Sequence, residues 1–243
     1  MAKEDGTWIM RGLDWDDPAR IQSWQELTGW GDEVGFLPLF RNGADGFSVE
    51  ENTSDLCWWS DDPAQAPWKW RQLIARSGRV TYGRFFVGKT GFVSRAWLPH
   101  FANWRRNGYD FDSRWDEGLA RIRLKRVMDL FTDGAHLYSF ELKRLAGFGK
   151  EGERNFDGTV TDLQMYTYLL IRDFRRRINK KGLPYGWPIS VYSTPEALWG
   201  YEHIASAYST GPEQSRELIF RQVRKNFLAA TDESLSAVLG WNG

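Results

Sequence analysis

Between Tyr138 and Glu196 the chain passes through two short helical segments and then two extended runs joined by a strongly basic tip. Ser139 is placed to cap the first helix, Phe140 to Ala146, and Gly147 to end it. The second helix starts at Asp157 or Thr159 and carries Leu163, Gln164 and Met165. The run Thr167 to Asn179 fits two periods. Leu163, Tyr166, Leu170 and Phe174 make a helical stripe, whereas Tyr168, Leu170, Arg172 and Phe174 alternate with Leu169 and Ile171 as in a strand. The strand is preferred because Trp187 to Ser193 offers an extended partner across Lys180 to Gly186. A helix pair followed by a basic hairpin is the layout of a winged helix-turn-helix. The expected fold is therefore mainly α with small β-hairpins (α+β), built around that module.

The charge sits where that layout would use it. Arg172 to Lys181 holds six basic residues against one acidic residue, Asp173, in a chain whose formal net charge is zero. Positive charge concentrated on one hairpin tip attracts phosphates in a salt-sensitive way. The expected partner is double-stranded DNA. Arg175, Arg176, Arg177, Lys180 and Lys181 would contact its backbone, and Thr161 and Gln164 would lie on the groove-facing helix. The plainer alternative is a solvated hairpin whose arginines pair with the acidic segments near Asp14 to Asp17 or Asp61-Asp62.

Upstream, residues 1–20 are polar and Asp-rich, and Met1 to Gly12 reads as loosely ordered. Ile21 to Val34 has helical spacing, and Pro38 keeps Gly35 to Phe40 from being a central strand. Trp68 to Ser77 reads as a helix with Pro67 at its start, followed by strands Val80 to Val87 and Gly91 to Ser94. Ser94 would cap a helix Arg95 to Arg106, and Arg114 to Phe131 reads as one long helix with Leu119, Ile122, Val127, Leu130 and Phe131 buried. A helix and then a hairpin gives this half the outline of a diverged winged helix. The division implied is a Trp-rich helical and hairpin domain at 1–113, a winged helix at 114–200, and a C-terminal helical segment at 201–243 packing back on the core. Helices Pro212 to Phe227 and Asp232 to Leu239 make up that segment.

Other chemistry is thinly represented. Cys57 is the only cysteine, and His100, His136 and His203 lack metal-ligand spacing, so neither a metal nor a cofactor is expected. There is no apolar run of membrane-spanning length and no signal peptide pattern, which makes the cytoplasm the default location. Asp110 and Asp112 would share one face if extended, or would cap the helix that follows. Trp58, Trp59, Trp68 and Trp70 lie in a loop-rich stretch, suited either to stacking a base or to plugging the interface between the halves; the plug is preferred.

Five stretches resemble the AlkZ-like (YcaQ-type) winged-helix proteins, and more closely a compact bacterial group of their relatives. They are Gly-Phe-Leu-Pro-Leu-Phe (35–40), Thr-Tyr-Gly-Arg-Phe-Phe (81–86), Phe-Ala-Asn-Trp-Arg-Arg-Asn-Gly-Tyr-Asp-Phe-Asp (101–112), Phe-Glu-Leu-Lys-Arg-Leu-Ala-Gly-Phe (140–148) and Tyr-Gly-Trp-Pro-Ile-Ser-Val-Tyr-Ser-Thr-Pro-Glu (185–196). The resemblance implies tandem winged helices and DNA glycosylase activity on alkylated or crosslinked bases. The family's catalytic motif is Gln, an apolar residue, then Gln or Asp. Its nearest match here is Gln164-Met165-Tyr166, with Tyr166 in the last place, while Gln22 and Gln25 lie three apart instead of two. Three functions follow as expectations. The first is duplex-DNA binding linked to repair of alkylated DNA. The second is a glycosylase with a diverged motif, using Asp110, Asp112 or Gln164. The third is a small-molecule or protein-interaction module with a pocket lined by the four tryptophans.

Overall fold

The computed structural model describes residues 9–240. Of the start expected to be loosely ordered, residues 1–8 lie outside the described ones. Beyond them Met10 is buried, and the Arg11 N–H donates to Glu50 Oε1 at 3.0 Å. Ser23 caps α1 (Trp24–Val34) by accepting from the Glu26 N–H at 3.2 Å, turning Leu27, Gly31 and Val34 inward. Gly35 ends the helix at φ +88°. A Cβ there would stand 2.6 Å from Trp97 Cδ1, so backbone and space both require glycine. The chain then enters β1 (Phe36–Pro38), an edge strand, where a proline without an N–H is tolerated.

Next come α2 (Pro67–Ser77) and a hairpin of β2 (Val80–Phe86) and β3 (Lys89–Ser94). They are followed by α3 (Leu98–Arg106), α4 (Phe111–Asp116) and α5 (Ile122–Met128). Then follow β4 (Leu137–Tyr138), α6 (Ser139–Leu145), α7 (Phe156–Met165) and a second hairpin, β5 (Leu170–Ile178) and β6 (Pro184–Ser193). The C-terminal part holds α8 (Pro195–Trp199), α9 (Tyr201–Ala205), α10 (Pro212–Asn226) and α11 (Asp232–Leu239).

The two hairpins are not separate decorations. All six strands form one antiparallel sheet in the order β1-β3-β2-β5-β6-β4, joined at its middle where Tyr82 faces Ile171. From either edge inward the order is the same: a short strand, the second strand of a hairpin, then its first. Each half also places a helix before the short strand (α1, α5) and another before the hairpin (α2, α7). The architecture is thus a mixture of helices and an antiparallel sheet, where small isolated hairpins were expected. Periodicity shows each strand, but pairing between strands so distant in sequence leaves no local mark.

Aromatic side chains seal the centre. Tyr82 packs against Phe92 and Phe174 with centroids 5.3 and 5.7 Å apart. Trp58 and Trp70 are fully buried, and their indole N–H groups donate to Thr53 Oγ1 at 2.9 Å and Ala64 O at 3.0 Å. Burying one indole and satisfying its N–H contributes on the order of 5 kcal/mol before entropy is charged against it. Asn103 of α3 donates to Thr210 O and Ser215 Oγ, bringing α10 onto the core.

Arg106, at the end of α3, is a buried knot. Its guanidinium donates to Glu196 Oε1 (2.6 Å), Tyr208 Oη (3.0 Å), Thr167 Oγ1 (3.2 Å) and Thr167 O (2.8 Å), and it lies over the Tyr168 ring. Thr167 holds φ +63°, a costly conformation for a β-branched residue, and Arg106 bonds it at two atoms.

Several helical expectations are corrected. Ser139, expected as a cap, is the first residue of α6, and Tyr138 is its N-cap. The long helix from Arg114 to Phe131 is broken between α4 and α5, where Gly118 adopts φ +73° and returns its N–H to Trp115 O at 2.9 Å. Leu119 and Ile122, placed in its buried stripe, are 51% and 54% exposed. The helix expected from Arg95 begins only at Leu98, because Ser94 Oγ accepts from the Trp97 N–H and closes a preceding turn.

Candidate nucleic-acid interface

The second hairpin has two chemically distinct halves. Near the sheet, Leu170, Ile171 and Phe174 are buried. Beyond Phe174, every residue from Arg175 to Trp187 is exposed. The register pairs Arg175 with Ile189, then shifts at an irregularity before pairing Arg177 with Tyr185 and Ile178 with Pro184. Asn179 closes the turn. Its Oδ1 accepts from the Lys181 and Leu183 N–H groups at 2.9 and 3.0 Å, and Gly182 supplies φ +77°. Lys180 and Lys181 are therefore carried on an ordered tip. Trp187, at 89% exposure, stands beside them with Ile178, Leu183 and Tyr185 also outward.

The hairpin's arginines do not pair with Asp14 to Asp17 or Asp61-Asp62, the partners the plainer reading required. Asp173, on the same strand and almost buried, accepts from Arg175 Nε at 2.6 Å and from Arg76 Nε of α2. Burial pushes the Asp173 carboxyl up, but the hydrogen bonds from Arg76, Arg175 and the Phe174 N–H prevail and hold it below the usual carboxylate range. The bond to Asp173 also raises the Arg175 pKa. Arg177 stacks over the Phe140 ring of α6 at 4.5 Å, which orients the side chain without neutralising it. Among the described residues, Arg176, Arg177, Lys180 and Lys181 enter no ion pair.

The helix expected to face a groove is held differently. Asn155, at φ +63°, caps α7 by accepting from the Gly158 N–H at 3.3 Å. Gln164 is 1% exposed; its Oε1 accepts from the Arg84 N–H at 3.1 Å and its Nε2 donates to Val160 O at 3.1 Å. Thr161 Oγ1, half-buried, accepts from Arg84 Nη1 at 3.3 Å. Both residues fasten α7 to β2, and Gln164 has no surface to offer a base. Asp157 is the exposed residue of this helix, Asp162 pairs with Arg123, and Arg84 lies against Thr161, so its outward face carries both signs of charge. Lys143 of α6, with Lys150 and Arg154 in the segment before α7, borders a cavity of about 640 Å³.

The acid–base candidates do not converge. Asp110 is the N-cap of α4, accepting from the Ser113 N–H at 2.7 Å, and Asp112 is exposed in its first turn. In Gln164-Met165-Tyr166 the first two residues are buried, and the Tyr166 hydroxyl accepts from Arg114 Nη2 at 2.9 Å. Three of the tryptophans form a packed group, in which Trp58 is internal and Trp59, 57% exposed, leans on Trp68 at 5.2 Å; Trp70 is buried separately. A cavity of about 750 Å³ opens elsewhere, between Pro38, Phe40, Phe86, Val87 and Val238. Glu50, 3% exposed, lies in its wall and accepts from the Arg11 and Arg41 N–H groups at 3.0 Å each. Neither Glu50 nor Arg76 stood out in the sequence. Glu50 lies in a polar loop stretch, and Arg76 meets Asp173 from 97 residues away.

No helix among the described residues is long and apolar enough to cross a membrane. A family model described as AlkZ related matches residues 21–240, nearly the whole chain. No curated protein and no solved structure matches it.

Proposed function

The chain belongs to the AlkZ-related family, and on that premise we propose that it is a duplex-DNA-binding protein acting in the repair of alkylated DNA, built from two winged helix-turn-helix units that share one sheet. The order α5, β4, α6, α7, β5, β6, with β4 paired to β6, supports the second unit. The order α1, β1, α2, β2, β3, with β1 paired to β3, supports a diverged first unit that lacks one helix of the pair. The observation that carries the reading is the outer half of the second hairpin: an ordered, fully exposed projection bearing Arg176, Arg177, Lys180 and Lys181 beside Trp187. Such a projection supplies sequence-independent phosphate contacts and an aromatic face for a sugar or base. The burial of Gln164 and the bond of Thr161 to Arg84 argue against base-edge reading by these two residues, so discrimination between sequences is expected to be small.

Fluorescence-anisotropy titration with a random duplex at two salt concentrations, beside the same duplex carrying an alkylated base, tests this. Salt-sensitive micromolar binding is the expected result. Absence of binding at low salt would remove the DNA reading.

The 750 Å³ cavity favours a second reading, base excision. Its size suits an extruded base, and Glu50 is the carboxylate in its wall, in place of Asp110 and Asp112, which serve or adjoin a helix cap. Release of free base from alkylated DNA by the wild type, abolished in Glu50→Gln, is the result this reading requires.

A further inference from the structure

A cleft of about 320 Å³ lies where the two halves of the protein meet, between the end of α2, strand β5 and α8. Arg76, Arg172, Asp173, Arg175 and Trp199 line it. Its charge is unbalanced by construction. Asp173 spends both carboxylate oxygens on arginines: Oδ1 on Arg76 and Oδ2 on Arg175. Arg76 is further fixed by donating from Nη2 to Phe174 O at 2.7 Å. Three arginines therefore face one carboxylate. Asp173 has only 8% of its side chain exposed, whereas Arg76 and Arg175 each keep 48%, so the anion sits inside and the guanidinium edges point to solvent. A buried carboxylate that holds two forks in fixed directions lowers the entropy each would lose on taking a phosphate.

We propose that this cleft is a phosphate-binding site, in which Arg76, Arg172 and Arg175, the outer two oriented by Asp173, hold one phosphodiester of the bound duplex. The proposal rests on the DNA-binding reading above and extends it to a residue of the N-terminal half, Arg76. β5 carries the chain from Arg175 to Ile178, roughly 10 Å of strand, before the turn that bears Lys180, so cleft and tip would engage different phosphates of the duplex. Asp173 is here a positioning residue, and it makes a counterintuitive demand: Asp173→Asn removes a nearly buried negative charge and leaves the cleft more positive, yet weakens binding, because a neutral amide keeps one acceptor oxygen for two guanidinium groups.

The test has two arms. In the first, inorganic pyrophosphate is titrated into the full chain while the Trp199 indole N–H resonance, assigned through Trp199→Phe, is followed by NMR. The resonance is expected to shift in the wild type and stay still in Arg76→Gln, whose folding is checked by urea unfolding because the substitution removes one partner of the nearly buried Asp173. In the second, duplex binding by Arg76→Gln is expected to weaken about tenfold at low salt, with the salt slope reduced by about one; Asp173→Asn should weaken it in the same direction. An unmoved resonance in the wild type, or Arg76→Gln binding duplex with wild-type slope, overturns the proposal. A shifted resonance in a wild type that binds no duplex would retain the anion site and remove the DNA reading, so the two failures are distinguishable.

Discussion

Neutralising the hairpin tip should reduce the salt dependence of duplex binding by a calculable amount. Four hairpin cations, Arg176, Arg177, Lys180 and Lys181, are exposed and enter no ion pair among the described residues, whereas Arg175 is bonded to Asp173. Each phosphate neutralised contributes about −0.9 to the slope of log K against log salt. The tip's four contacts then contribute about −3.6 to the slope, and through them alone raising salt from 50 to 200 mM should weaken binding by about 150-fold. In Lys180→Gln/Lys181→Gln the tip's contribution should fall to about −1.8 and its share of the loss over the same interval to about 12-fold. Because both side chains project from a turn closed by the Asn179 side chain and by backbone bonds, unfolding free energy should move by less than about 0.5 kcal/mol. Anisotropy titrations at four salt concentrations, with urea unfolding as the control, measure both quantities. A double variant with an unchanged slope and intact folding would refute the assignment of the tip as a phosphate contact.

Glu196→Ala should strand the Arg106 guanidinium, whose side chain is 1% exposed, and cost about 3 kcal/mol, the low end of the range because Glu196 itself keeps 27% exposure. Urea unfolding showing a loss below about 1 kcal/mol would mean that water or Tyr208 replaces the carboxylate. Asp110→Ala should cost about 1 kcal/mol through loss of the α4 cap, while Asp110→Asn, which still accepts from the Ser113 N–H, should retain stability and any base-release activity; loss of activity without loss of stability in Asp110→Asn would restore Asp110 as a catalytic group. Burial raises the pKa values of Tyr168, Tyr208 and Tyr192, the last to about 12, from an unfolded value near 10. The stability they lend is complete below about pH 10 and lost as pH rises towards 12, so their phenolate absorbance should appear together with unfolding; nine tyrosines titrating freely near 10 in a folded protein would contradict the packing. Trp187→Ala should leave stability unchanged, given 89% exposure, and weaken duplex binding by about 1 kcal/mol in the same titration.

Local chemistry alone determined much of this protein. Pro67 marks the start of α2 because its fixed φ and missing N–H act within a few residues. The strand periodicity of Tyr168 to Phe174, with an extended partner past Lys180, located the second hairpin for the same reason. The basic tip was equally legible, since exposed charge on a turn needs no partner to be recognised. What lay beyond reach was whatever depends on residues distant in the chain. The joining of two hairpins through Tyr82 and Ile171 has no periodic signature. Gln164 carries a groove-facing residue type but is turned inward by Arg84 of a strand 80 residues earlier. Arg76 and Glu50 are unremarkable in their own neighbourhoods; only folding brings the one to Asp173 and the other into a cavity wall. The sequence by itself determined where the positive hairpin lies, because backbone propensity and exposed charge act locally. The tertiary structure decided which polar groups are free to meet a ligand, because burial and hydrogen-bond saturation depend on what packs against them.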